Sequence, residues 1–455
     1  MQTDINGCDI SLKTQDAVAQ WNAMQRAFLS HGAATPELLG AVLKAEPEFA
    51  LGHAVKGLLY LSLGRSELRP TVMEALELAQ NAAAQGDVTA RERRFIVALG
   101  LAVEGHMGRA AAVLDDVVRT TSGDALAMKL VQALRFMLGD AAGMRASIVL
   151  AKPGFAGDHS FRGFVLGCEA FALEETGDYA GAERAGRAGL ELAPDDAWGL
   201  HAVAHVHDMT GRAEDGVRWL AGRSSHWAHC NNFGYHVWWH LALFHLDRGA
   251  YGPVLELYDR KVRPTQTDDF RDISNAASLL YRLEVEGVDV GTRWEELAEL
   301  SANRIDDGAL IFADLHYLMA LAATDRGAEL ETMTQRIARD AASMEHDQHE
   351  VAALTGLPMA QGLLALRDGH YGLAAQQLQH GLAFLPRAGG SHAQRDVFWR
   401  LAVEATLKAG DCSGAETLLT RRVLDRGAED GYTARRREQI AARRADLAAA
   451  GIAAE

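Results

Sequence analysis

Residues 173–217 read LEETGDYAGAERAGRAGLELAPDDAWGLHAVAHVHDMTGRAEDGV, and this stretch decides the fold. Two turn phrases, Gly177-Asp178-Tyr179 and Gly211-Arg212-Ala213, stand 34 residues apart. Between them lie two alanine-rich runs whose apolar residues recur with helical spacing. A glycine at each turn supplies the positive φ that the end of a helix wants. The unit is a helical hairpin, and a hairpin cannot bury its apolar face until a neighbour stacks on it.

The same phrase recurs in both directions along the chain. LSLGRSE begins at residue 61, LDRGAYGPVLELY at 246, LRDGHYGLAAQQL at 366 and LKAGDCSGAETLL at 407. Gly211 and Gly249 are 38 residues apart. The tetratricopeptide repeat has a period of about 34 residues, and LELAPDDAW at 190–198 matches its closing proline and the start of the next repeat. The expected fold is therefore all-α: a tetratricopeptide-like α-solenoid, a right-handed superhelix closed around a central cavity. We read 1–455 as a single solenoid domain: an irregular arm at 1–15, degenerate repeats at 16–160, the clearest repeats at 161–263, further degenerate repeats at 264–425, and a capping helix at 426–455. Within the least regular part, helices are expected around Glu92–Gly105, Arg109–Thr120 and Ala125–Leu138, with a loop near Lys152–His159.

Composition narrows the function classes. Hydrophobic residues make up 48% of 455, enough for burial to drive folding. The formal charge of −16 repels phosphate, so neither nucleic acid nor an anionic membrane surface is expected as a partner. Four scattered cysteines without CxxC suit a reducing cytoplasm. The N-terminus lacks the basic and apolar stretches of a signal peptide. No apolar run of about 18 residues predicts a membrane span.

Candidate chemistry gathers in one region. Seven of 18 histidines fall between His201 and His240. His201 and His205 are i, i+4, as are His236 and His240, so each pair presents two imidazoles on one helical face. Repeat register places Trp198, His201, His205 and Asp208 on an inner wall beside His236, Trp239 and His240, with Gly167 leaving a hollow beside His201. The bland reading, satisfied structural histidines, competes with a pocket. His201-Ala-Val-Ala-His205 has no glutamate between its histidines, so it is not HExxH and no metal is expected. AGGSHAQRDVF (388–398) delivers Ser391, His392, Gln394, Arg395 and Asp396. Ser391 and Gln394 fit a capping box, whereas His392, Arg395 and Asp396 go beyond what a cap needs. Asp268 and Asp269 are expected to cap the next helix, while Asp272 and Asn275 could face inward; Asp314 and His316 form a weaker pair. There is no P-loop, GxGxxG or GxSxG.

DAWGLHAVAHVHDMTGR, HVWWHLALFHLDRGAYGPVLELYD and GGSHAQRDVF resemble the tetratricopeptide repeat protein 38 family over about Asn22 to Arg426. The resemblance implies a solenoid of degenerate repeats and, at His201, His205, His236, Trp239, His240, Ser391, His392, Gln394, Arg395 and Asp396, a polar and aromatic signature. It implies no settled activity and no known cofactor. Three readings follow. The first is a concave pocket for a small polar or anionic ligand or a peptide end, lined by Trp198, His201, His205, His236, Trp239, His240, Asp272, Ser391, His392, Gln394 and Arg395. The second is an enzyme of hydrolase or lyase type, metal-assisted or not, with His201, His205, His236, His240, His392 or Asp396 as acid, base or orienter. The third is a protein–protein scaffold. A homodimer is compatible with all three.

Overall fold

A computed structural model describes residues 1–343 and 345–449. The described residues form helices joined by turns and short loops, with a hairpin of two-residue strands, Gln2–Thr3 and Asp9–Ile10, and one isolated bridge, Gly32 with Cys230. The fold class is all-α, built from helical hairpins. The chain packs as two compact units: 1–203, 222–237 and 345–348 form the first, and the second comprises 204–221, 238–344 and 349–455.

The hairpin turns show why the sequence folds locally. Three read Gly-Asp-x-x-Gly: 139–143, 177–181 and 410–414. The first glycine takes a positive φ (+65°, +82° and +91°). Asp140, Asp178 and Asp411 each cap the next helix, accepting the amide three residues on at 2.8, 2.9 and 2.6 Å. That amide belongs to the second glycine, where a Cβ would meet the capping carboxylate at 2.0, 2.6 or 2.2 Å. One short motif thus ends a helix, starts the next and fixes the angle between them.

In the first unit the Arg162–Glu174 and Tyr179–Leu192 helices pack backbone to backbone through small residues. A Cβ on Gly189 would lie 2.8 Å from the Gly163 carbonyl oxygen. The N-terminal arm is ordered: Cys8, Ile10 and Leu12 are buried, and Asp4 lies beside Arg91. Trp21, fully buried, meets Phe49 edge-on at 5.0 Å. The Glu92–Thr120 region forms the helices Ala90–Val103 and Met107–Thr120, followed by Ala125–Met137. A further helix, Ala141–Ala151, precedes the short 3₁₀ turn Lys152–Phe155.

The second unit carries ion-paired side chains in its core. Arg422 bonds Asp396 at 2.6 and 3.0 Å and Asp430 at 2.8 and 2.6 Å. Tyr432 is wedged among the guanidiniums of Arg400, Arg422 and Arg436 at 4.2, 5.2 and 5.0 Å. These contacts dock the Gly431–Ala449 helix, the expected cap; residues 450–455 lie outside the described residues.

Candidate functional site: an aromatic recess around Lys129

The first unit brings Trp198, His201 and His236 together. His201 and His236 are buried, with Nε2 atoms 3.1 Å apart. At that separation one neutral ring donates and the other accepts. It is also the spacing of two imidazoles on one ion at about 2.0–2.1 Å, so the pair could supply two ligands to a metal. Phe171 stacks on His201 at 5.5 Å and 22°, and Trp198 flanks it at 4.9 Å. The hollow expected beside Gly167 is absent, because a Cβ there would strike the Asp196 carboxylate at 1.9 Å. Burial pushes the Asp196 carboxyl up to about 7, against the pull of the Lys129 charge and the amides of Gly199 and Trp198.

Two residues that sequence reading passed over complete this site. Lys129, on the Ala125–Met137 helix, is buried. Its Nζ lies 4.6 Å from the Trp198 ring centroid and donates to His31 Nε2 at 3.1 Å. An ammonium carries only donors, so this imidazole nitrogen must accept. Among the described residues no carboxylate oxygen lies within 4.0 Å of the Lys129 amine, although the buried Asp196 carboxyl feels its charge. The His31 ring is clamped between Trp198 (5.4 Å, 14°) and Phe233 (4.3 Å, 25°). His31, Trp198, Phe233 and Phe136 are each half-exposed and touch one another through Trp198, whose ring the buried amine faces.

The backbone of His31 is strained. Its φ of +58° is the one positive value at a non-glycine among the described residues. It follows the Gln15–Leu29 helix at the position where a Schellman motif normally places glycine. The Gly32 amide bonds Ala27 O at 2.7 Å and the His31 amide bonds Phe28 O at 3.2 Å, the two bonds of that motif. The turn is then pinned across the chain: Asn231 N donates to His31 O at 2.8 Å and Ala33 N to His229 O at 3.0 Å. The one signal in the sequence is a histidine, His31, standing before Gly32 where a helix stops.

The second unit holds the other candidates. His205 and His240, fully buried, face each other with ring centroids 4.4 Å apart. Trp239 packs edge-on to His240 at 4.9 Å and under the Arg282 guanidinium at 5.5 Å. Arg282 donates to the Ala393 carbonyl at 2.8 Å and lies 3.9 Å from Asp396. Burial first, then the neighbouring Arg400, pushes Arg282 down to about 9. Asp396 is held far below the carboxylate range by Arg422 and Arg400, which overcome its burial. The cavity lined here by Asp208, Arg282, Asp396 and Arg400 is about 10 Å³, room for about one water. Ser391 and Gln394 form the capping box, and Arg395 donates to the Gly390 carbonyl. His392, half-exposed, opens the same helix. Asp272 accepts from Thr267, Asp269 caps its helix, and Asp268 pairs with Arg304. Asp314 pairs with Arg336, while His316, bonded to the Phe312 carbonyl at 2.8 Å, is pushed down by burial to about 4.

No protein-family model matches the chain. Among solved structures it aligns with one described as Naa15/Naa10 bound to HypK-THB, at 11% identity and a TM-score of 0.25. That alignment covers 92% of this chain and 65% of the other, so the chain spans about two thirds of the length it matches. No helix among the described residues is long and apolar enough to cross a membrane.

Proposed function

We propose that this helical-repeat protein binds a small anionic ligand, a carboxylate, in the recess formed by His31, Lys129, Trp198, His201, Phe233 and His236. The observation that carries the reading is the buried Lys129 ammonium beside half-exposed rings, with an indole face and a neutral imidazole as its direct partners and a nearby carboxyl, Asp196, that burial holds toward its neutral form. A buried charge is costly unless an opposite charge meets it. An incoming carboxylate would supply that charge, and the rings would cover its carbon skeleton. His201 and His236 offer a second hydrogen-bonding edge deeper in.

Isothermal titration with a panel of small mono- and dicarboxylates tests the reading. Binding should weaken by roughly tenfold or more in Lys129→Met, the scale of a lost charged hydrogen bond, and also fall in His201→Ala. A panel with no heat of binding, on folded protein, would sink it and favour a protein–protein scaffold. The His201–His236 contact supports a second reading, acid–base catalysis on the bound ligand.

A further inference from the structure

We propose that Lys129 is more than an anchor: its ε-amine condenses with the carbonyl carbon of a small 2-oxo acid, and His31 moves the proton. This rests on the recess being the ligand site. The amine has two features of an imine-forming lysine, burial against an indole face and a base within hydrogen-bond reach. His31 Nε2, at 3.1 Å, accepts from the amine. Its ring is held on both faces by Trp198 and Phe233, so the nitrogen stays aimed. It also sits just past the C-terminus of a helix, where the imidazolium formed on taking a proton is favoured.

The strained backbone is the second, independent observation. A non-glycine residue in the left-handed region costs about 1–2 kcal/mol. Glycine would complete the same Schellman turn without strain, so what the position keeps at that cost is the ring between Trp198 and Phe233 and the nitrogen it aims at Lys129. The turn is instead pinned to residues 229–231 by backbone bonds at His31 O and Ala33 N. That arrangement holds a base in place at some expense to the fold.

The step balances within these groups. Lys129 passes one proton to His31 Nε2, and its freed lone pair attacks the carbonyl carbon, forming the C–N bond and opening the C=O π bond. The oxygen takes one proton from the newly bonded nitrogen, which frees that nitrogen's lone pair, and a second from His31. It departs as water when the nitrogen lone pair closes the C=N bond. The sum is a carbonyl compound plus an alkylammonium giving a protonated imine plus water, with no oxidant or reductant. The iminium keeps the positive charge of the amine, and the neighbouring carboxylate of the 2-oxo acid lies against it. That makes a 2-oxo acid a better fit than a simple aldehyde.

The test is reductive trapping on the full chain. Purified protein is incubated with pyruvate and cyanoborohydride, then read by intact mass and peptide mapping. One reduced pyruvate adduct should form and map to Lys129. It should be absent in Lys129→Arg and form roughly tenfold or more slowly in His31→Asn, where asparagine tolerates the left-handed backbone but offers no imidazole. Adducts scattered over surface lysines without preference for Lys129 would overturn the imine. Calorimetry with pyruvate and no reductant separates the two proposals. If wild type and Lys129→Arg both bind but wild type traps nothing, the imine is wrong and the carboxylate site stands. If neither binds, the site itself fails. His31→Asn keeps the lysine, so a slowed adduct on that folded variant reports the base even if Lys129→Arg folds poorly.

Discussion

At the scale of single residues, burial decides how each charged group behaves. Asp196 and Asp396 are both buried aspartates, yet their carboxyls move in opposite directions. Asp396 has Arg422 and Arg400 in contact, and their attraction outweighs desolvation. Asp196 has the Lys129 charge and two amides, and desolvation wins. A carboxyl raised to about 7 makes folding less favourable as pH climbs from its unfolded value near 4 through 7, because the folded state holds the proton longer. Asp196→Asn should therefore gain stability at pH 8 relative to wild type, by about 2–4 kcal/mol, and much less at pH 5. Urea denaturation at the two pH values checks this, and equal gains at both would contradict the assignment. Arg422→Met should cost about 3–5 kcal/mol, since it strands Asp396 and Asp430 without their shared partner.

At the scale of elements, the Gly-Asp-x-x-Gly turn was readable in the sequence because everything it needs is local. Asp178→Ala should cost about 1 kcal/mol through loss of the cap. Gly181→Ala should destabilise as well, because its methyl group would displace the capping carboxylate. Thermal melts of both variants test the motif, and a neutral Asp178→Ala would remove the cap from the account. The Ser391–Gln394 capping box was legible for the same reason, as was the Asp269 cap. Where the sequence misled, the cause lay across elements. Gly167 looked like space beside His201, but the Asp196 carboxylate from the next repeat occupies it. Arg395 donates to the carbonyl of Gly390 at its own helix start, a contact that spacing alone did not suggest.

At the scale of the molecule, buried aspartates in the two units answer pH in opposite ways. In the first, Asp196 favours folding as pH falls toward 5. In the second, Asp396 and Asp430 are both depressed by Arg422 and its neighbours. Groups of that kind contribute stability above their unfolded pKa, near 4, and lose it as pH drops further. Hydrogen exchange followed by mass spectrometry should show protection in the helices that pack on Asp196, residues 162–203, rising from pH 8 to 5, after correction for intrinsic rates. Protection in 392–449 should hold over that range and then collapse below about pH 4. A uniform response across the chain would argue against this division of charge.

The sequence by itself determined what is short-ranged: the all-α class, the hairpin turns, the caps and the i, i+4 histidine pairs, because helix periodicity and turn chemistry act within a few residues. Tertiary structure alone decided which histidines meet which, and it found Lys129 and His31. Those two side chains are 98 positions apart and carry no motif. Their significance comes from desolvation and from a strained turn pinned by residues 229–231, and both are properties of distant segments packed together.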